Sequence, residues 1–135
     1  MLDLQNPALT AALEEVCLPW WSEELFYDHT PPGMTLTKSD LVKRMAFTRE
    51  PRPVDVHLRV QGRFNQRYVL LCRDYLRATP LAAHAFGELK ILLAQRFSND
   101  VESYFDIKDP AFDIIMAGAQ ARATATGWQQ PPSDA

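Results

Sequence analysis

The sequence predicts an α/β fold of the α+β kind, with a small sheet followed by a helical C-terminal half. Three observations predict it. The segment Val54-Asp55-Val56-His57-Leu58-Arg59-Val60 alternates strictly between apolar and polar residues, the signature of a strand with two unlike faces. From Phe64 to Gly127 the apolar residues recur instead at helical spacing. The chain has 135 residues, 47% of them apolar and 23% charged, which suits one globular domain and leaves no room for two comfortable ones.

The elements follow in chain order. Asn6 is placed to cap a short helix with Pro7 in its first turn, and Leu9, Ala12, Leu13 and Val16 supply its apolar face. Leu18-Pro19-Trp20-Trp21 ends that pattern, and residues 22–36 read mostly as loop, with Asp28-His29-Thr30-Pro31-Pro32-Gly33 the plainest turn cluster. Thr37-Lys38-Ser39-Asp40 offers a second helix cap before Leu41, Val42 and Met45, and Pro51 and Pro53 close that short helix. The alternating strand comes next and Gly62 ends it. A lone strand is unstable, so its neighbours must come from residues 18–27, from a second copy or from another protein.

Beyond Phe64 the helices are easier to place. Tyr68, Leu71, Cys72, Tyr75 and Leu76 form one apolar stripe up to Ala78. Thr79 and Pro80 open the next helix, whose core stripe is Ala82, Phe86, Leu89, Leu93 and Phe97. Asn99 and Glu102 have the spacing of a capping box for a third helix. Pro110 then kinks that helix or restarts it with Asp109 as a new cap. Gly127 is a natural stop. A single domain over residues 1–128 and a frayed tail over 129–135 are expected.

Charge is unevenly distributed. The net charge is −3, yet the stretch from Lys43 to Arg77 carries nine basic and three acidic residues, a net of +6. Arginine dominates that set, and its planar fork suits phosphate and carboxylate. The plainer reading is a solvated face whose arginines pair with the acidic remainder of the molecule. A sequence pI near 5.5 and the absence of exposed aromatics among the basic residues argue against a nucleic-acid partner. No apolar run approaches the ~20 residues that cross a bilayer, so no membrane partner is expected. Two cysteines and an N-terminal stretch without a secretory pattern point to a reducing, cytoplasmic setting.

Chemistry-bearing motifs are few. Five glycines form no phosphate-cradling loop, and no His-Glu-x-x-His, Cys-x-x-Cys or Gly-x-Ser-x-Gly occurs. Asp55 and His57 project from one strand face with Cα atoms about 6.7 Å apart, close enough for an acid–base pair or for two ligands of a metal that needs more. Asp28 and His29 would complete such a site if their loop folded over the strand. The alternative is a polar strand face with a hydrogen-bonded histidine. Arg59, Arg63, Arg67 and Arg77 converge at the strand-to-helix turn if an anion sits among them; equally, Asp74 pairs with Arg77 at i, i+3. Tyr104 and Lys108 share a helix face, where a lysine stem lying along the ring is the simplest arrangement. Cys72 reads as a packing thiol.

Taken as an ordered set, these residues resemble a known family. The strand with its histidine is followed by Arg67-Tyr68, Arg73-Asp74-Tyr75-Leu76-Arg77, Leu89-Lys90 and Tyr104 with Lys108. With Asp28-His29, Pro31-Pro32-Gly33 and the run from Lys108-Asp109-Pro110 to Ile114-Ile115-Met116, the pattern resembles the GrpB family over roughly residues 8–128. The resemblance implies a nucleotidyltransferase-like fold, here in part, with a small mixed sheet and a helical C-terminal portion. It also implies a domain found fused to dephospho-CoA kinase as a folding accessory.

The chain departs from that pattern in its first half. It has no Gly-Ser dipeptide and no Asp-x-Asp pair, the parts that would approach a triphosphate and hold Mg²⁺. Cys72 also stands where the family usually has an aromatic residue. A non-catalytic binding or accessory domain is therefore expected, with a second copy or another protein as partner. The alternative is an enzyme or sensor for a nucleotide or phosphorylated small molecule, using Mg²⁺, with Asp55, His57, Arg59, Arg63, Arg67, Arg73, Asp74, Arg77, Tyr104 and Lys108 as ligand-binding candidates.

Overall fold

The computed structural model describes residues 4–15, 20–21, 24–49 and 51–132. In order they form α1 (Pro7–Glu15), β1 (Trp20–Trp21), β2 (Phe26–Tyr27), α2 (Lys38–Leu41), β3 (Val42–Thr48), β4 (Val54–Arg59), α3 (Phe64–Ala78), α4 (Pro80–Arg96) and α5 (Val101–Thr126). The result is an α+β chain with a helical C-terminal half. The chain packs as two compact units, Met1–Arg67 and Tyr68–Ala135, and the division falls within α3.

The first unit is built around β3. On one edge it pairs along its length with β4, from Lys43 opposite Arg59 to Thr48 opposite Val54. On the other edge it takes first β1, with Trp20 opposite Phe47, and then β2, with Phe26 opposite Lys43. The register moves by two residues between those segments, so β1 and β2 are two parts of one interrupted edge strand. The alternating strand, β4, therefore takes its partner from none of the expected sources: β3, a segment whose sequence reads as a short helix, pairs with it, and residues 20–21 and 26–27 pair with β3 instead. All these pairings are antiparallel, where the family resemblance implied a mixed sheet.

β3 itself corrects the sequence reading. The helix capped by Thr37 lasts one turn: the Asp40 carboxylate accepts from the Thr37 backbone N–H at 2.9 Å and from its Oγ1 at 2.7 Å, and the backbone becomes extended at Val42. Residues opposite one another in a ladder share a face. One face of the sheet therefore carries Lys43, Met45 and Phe47 with Asp55, His57 and Arg59. The other carries Arg44 and Ala46 with Val56 and Leu58. Arg44 hides this alternation, because it is a guanidinium on the covered face, only 3% exposed. Its Nη1 donates to the Leu4 carbonyl at 2.8 Å and its Nη2 to Thr10 Oγ1 at 3.3 Å. A strand with a buried arginine does not look like a strand in sequence.

At the start of α1 the Asn6 carboxamide oxygen accepts from the Ala8 N–H at 2.9 Å, as the capping pattern requires. Leu13 is buried; Val16, the last residue of the expected apolar set, lies outside the described residues, as does the end of the tail. Gly62 makes the turn from β4 into α3 with φ of 81°, a left-handed conformation that favours glycine.

In the second unit Tyr68, Leu71 and Cys72 of α3, Leu93 of α4, and Ala119 and Ala123 of α5 are buried. Tyr68 stacks obliquely on Phe112, with ring centroids 5.3 Å apart, and its hydroxyl donates to Asp113 Oδ1 at 2.8 Å. Burial and that bond raise the Tyr68 pKa. Cys72 is wholly buried; burial and the nearby Asp113 push its thiol up to about 12, so it is an unreactive packing group.

α5 runs unbroken through Pro110. No new helix starts at Asp109, whose carboxylate instead meets the neighbouring Lys108 at 3.2 Å. The N-cap is Asp100, one residue beyond the expected Asn99, and it accepts from Ser103 N at 3.0 Å and Ser103 Oγ at 2.6 Å. Gly127 closes the helix with φ of 67°.

Candidate functional site

The densest polar cluster lies on the open face of the sheet. Asp28 directly follows β2, and its N–H donates to the Leu41 carbonyl at 2.9 Å, which carries the ladder one step further. That places its side chain on the face of Lys43 and Arg59, which stand opposite each other. Asp28 Oδ1 accepts from Lys43 Nζ at 2.5 Å and from Arg59 Nη2 at 3.4 Å. Oδ2 accepts from Arg59 Nε and from Asn65 Nδ2, both at 3.0 Å. Asn65, 3% exposed in the first turn of α3, also donates from Nδ2 to the Val42 carbonyl at 3.0 Å.

The amide orientation is fixed by this pattern, since turning it over would set its oxygen against two acceptors. Asn65 Oδ1 is left buried without a hydrogen-bond partner among the described residues. Burial alone would raise the Asp28 carboxyl, but hydrogen bonds and charge from Arg59 and Lys43 outweigh it and hold it at about 2.

The remaining strand-face candidates stay outside this cluster. His57 is exposed opposite Met45, and Asp55 is exposed opposite Phe47, further from Asp28. The His57 pKa is lowered by desolvation and then by the positive charges of Lys43 and Arg59, against smaller contributions from Asp28 and Asp55. Asp28 thus does fold onto the face of the strand, as one sequence reading required, but it meets the arginine and not the histidine. His29 is exposed.

Of the four arginines expected at the strand-to-helix turn, Arg77 lies away from it. Arg59 is taken up by Asp28, Arg63 and Arg67 flank the start of α3, and Arg77 stands in its last turn. Asp74 pairs with its neighbour Arg73 at 2.9 Å and accepts from Trp128 Nε1 at 3.0 Å; Arg77 acts on it only through longer-range charge. Lys108 lies over Phe105, 4.4 Å from the ring centroid, in place of the expected Tyr104, which meets the same Phe105 ring edge-on. Sequence reading missed Lys43 and Asn65 as members of the cluster. Lys43 was hidden with the rest of β3, and a lone helix-start asparagine carries no signal of its own.

The cluster does not fit a divalent cation. Its one carboxylate already accepts from two cationic side chains and an amide, a donor set that would repel a metal. Among the described residues no three His, Cys, Asp or Glu side chains come together as metal ligands. A family profile described as GrpB protein matches residues 16–117, most of the chain. The chain belongs to the GrpB family. This GrpB chain is 35% identical over 105 residues to a dephospho-CoA kinase of Mycolicibacterium paratuberculosis, an alignment covering 76% of it and 24% of that relative. Over 104 residues it is 33% identical to the dephospho-CoA kinase of Mycobacterium tuberculosis strain H37Rv, with the same coverage. The GrpB chain therefore spans about a quarter of the length of these relatives. None of its described helices is long and apolar enough to cross a membrane.

Proposed function

We propose that this GrpB chain is a non-catalytic accessory module that acts by binding, and that its partner is a polypeptide of the dephospho-CoA kinase type whose folding it assists. The observation that carries this reading is the state of Asp28. The acid at the centre of the polar cluster is consumed as a fastener between β2, β3, β4 and α3, with no acceptor capacity to spare for a metal or a proton-transfer step. The missing Gly-Ser turn and Asp-x-Asp pair agree with it, as does the segment's similarity to a quarter of much longer kinases. The test is co-expression of the full chain with the remaining three-quarters of one such relative. A rise in soluble, active kinase supports the accessory role, and an unchanged yield counts against it.

A second reading draws on the surplus of positive charge beside His57. Lys43 and Arg59 act on His57 more strongly than Asp28 and Asp55 do, so the positive charge at that spot is only partly offset and can attract a phosphate-bearing ligand such as a nucleotide. A thermal-shift panel of nucleotides and CoA precursors, with and without Mg²⁺, separates the two readings, because a ligand that binds only the folded form must stabilise it.

A further inference from the structure

β4 is an outer strand. Among the described residues its only strand partner is β3, so the backbone groups along its other side can pair with a further strand. Val54 is 41% exposed, and Asp55 and His57 are exposed with it. The sequence of the strand is chemically symmetrical about His57: Val56 matches Leu58, and Asp55 is the charge complement of Arg59.

We propose that this edge is a homodimer interface, in which β4 pairs antiparallel with β4 of a second copy about a two-fold axis at His57. In that register Asp55 stands opposite the partner's Arg59, and Arg59 opposite the partner's Asp55. Val56 stands opposite the partner's Leu58 on the other face, so like faces meet along the whole ladder. Arg59 holds Asp28 through Nε and Nη2, which leaves Nη1 as a donor toward the partner.

Neighbouring registers are worse. A slip of one residue puts valine beside histidine on one face. An axis at Leu58 sets His57 against the partner's Arg59, and an axis at Val56 sets Arg59 against the partner's Pro53, which cannot donate to a ladder. A strand from an unrelated protein would require no such internal symmetry, which is why a second copy is the occupant. The proposal stands apart from the accessory reading, and each can fail alone.

Light scattering on the full chain over a range of concentrations tests it first. The expected result is a species of twice the 15.4 kDa chain mass at high concentration; a monomer throughout overturns the proposal. Asp55→Lys should weaken the dimer about tenfold through two like-charge contacts with Arg59, with the circular dichroism of the monomer unchanged. An unaltered dissociation constant would overturn the register.

Cross-linking gives a reading that does not depend on stability. In a Cys17→Ser background, His57→Cys places two Cα atoms about 5 Å apart across the axis, within disulfide reach. Asp55→Cys places them about 14 Å apart, beyond it. Oxidation should therefore link the first variant and not the second, and equal linkage, or none with His57→Cys in a dimeric sample, overturns the pairing.

Discussion

Arg59 of β4 reaches across the central strand to Asp28 at the end of β2, with Nε 3.0 Å from Oδ2. One ion pair thereby ties all three lanes of the sheet together, with Lys43 beneath it as second donor. Removing the carboxylate leaves two cations side by side and the Asn65 amide with one acceptor fewer. Asp28→Asn should therefore destabilise the chain by about 2–3 kcal/mol, measured by denaturant unfolding. A loss under half a kcal/mol would mean that the cluster is only a surface pairing.

The same group sets the acid limit of the fold. Its carboxyl is held at about 2 in the folded chain against an ordinary 3.8, so the unfolded form takes up the proton first. The stabilisation is complete above about pH 4 and disappears as pH falls through 2, a span of about 2 kcal/mol. His57 acts in a higher window. Its folded pKa lies below the ordinary 6.5, so its contribution is present above that value and is lost as pH falls through the folded one. Unfolding midpoints measured from pH 2 to 8 should show both slopes, with Asp28→Asn removing the lower and His57→Gln the upper.

How far the sequence anticipated this arrangement depends on which residues are asked to show a pattern. α3 was legible to the residue because Tyr68, Leu71 and Cys72 repeat at helical spacing against one packed side. α4 was legible from Thr79-Pro80 and its core stripe, of which Ala82, Phe86, Leu89 and Leu93 lie inside the helix and Phe97 is its C-cap. β3 was not, because its covered face holds Arg44, whose burial depends on a carbonyl 40 residues away that no local pattern reports. With β3 unread, Lys43 had no face, and the Asp28 cluster could not be assembled. Sequence alone offers Asp28 as a partner for the strand, but the choice between His57 and Arg59 is made by ladder register, which only the paired strands fix.

Two glycines inside helices should answer substitution in opposite ways. A Cβ at Gly87 in α4 would meet nothing within 4 Å, so Gly87→Ala gains helix propensity without a clash and should stabilise by about 0.5–1 kcal/mol. At Gly118 in α5 it would stand 2.9 Å from the Tyr75 hydroxyl and 3.1 Å from Cζ of the same ring. Because the whole ring must shift, Gly118→Ala should cost about 1–2 kcal/mol despite the better propensity. Combining it with Tyr75→Leu should cost less than the two changes added together. Additive losses would show that the ring yields freely.

The C-terminal end of α5 is fastened by Trp128. After the left-handed turn at Gly127, the Trp128 N–H donates to the Ala123 carbonyl and its indole Nε1 to Asp74 Oδ2, each at 3.0 Å. Arg73 holds the other oxygen of that carboxylate at 2.9 Å, so the acceptor is already oriented when the indole meets it. Trp128→Phe keeps an aromatic ring but loses the donor, and should cost about 1 kcal/mol, the worth of one hydrogen bond to a half-exposed charged group. The loss should be local: amide exchange should quicken over the last turn of α5, while the amides of β3 and β4 keep their protection. Asp74→Asn retains an acceptor oxygen but loses its charge, so it should fall between the two and shift the Trp128 indole N–H resonance. An indole signal unmoved by Asp74→Asn would show that Trp128 is held by ring packing alone.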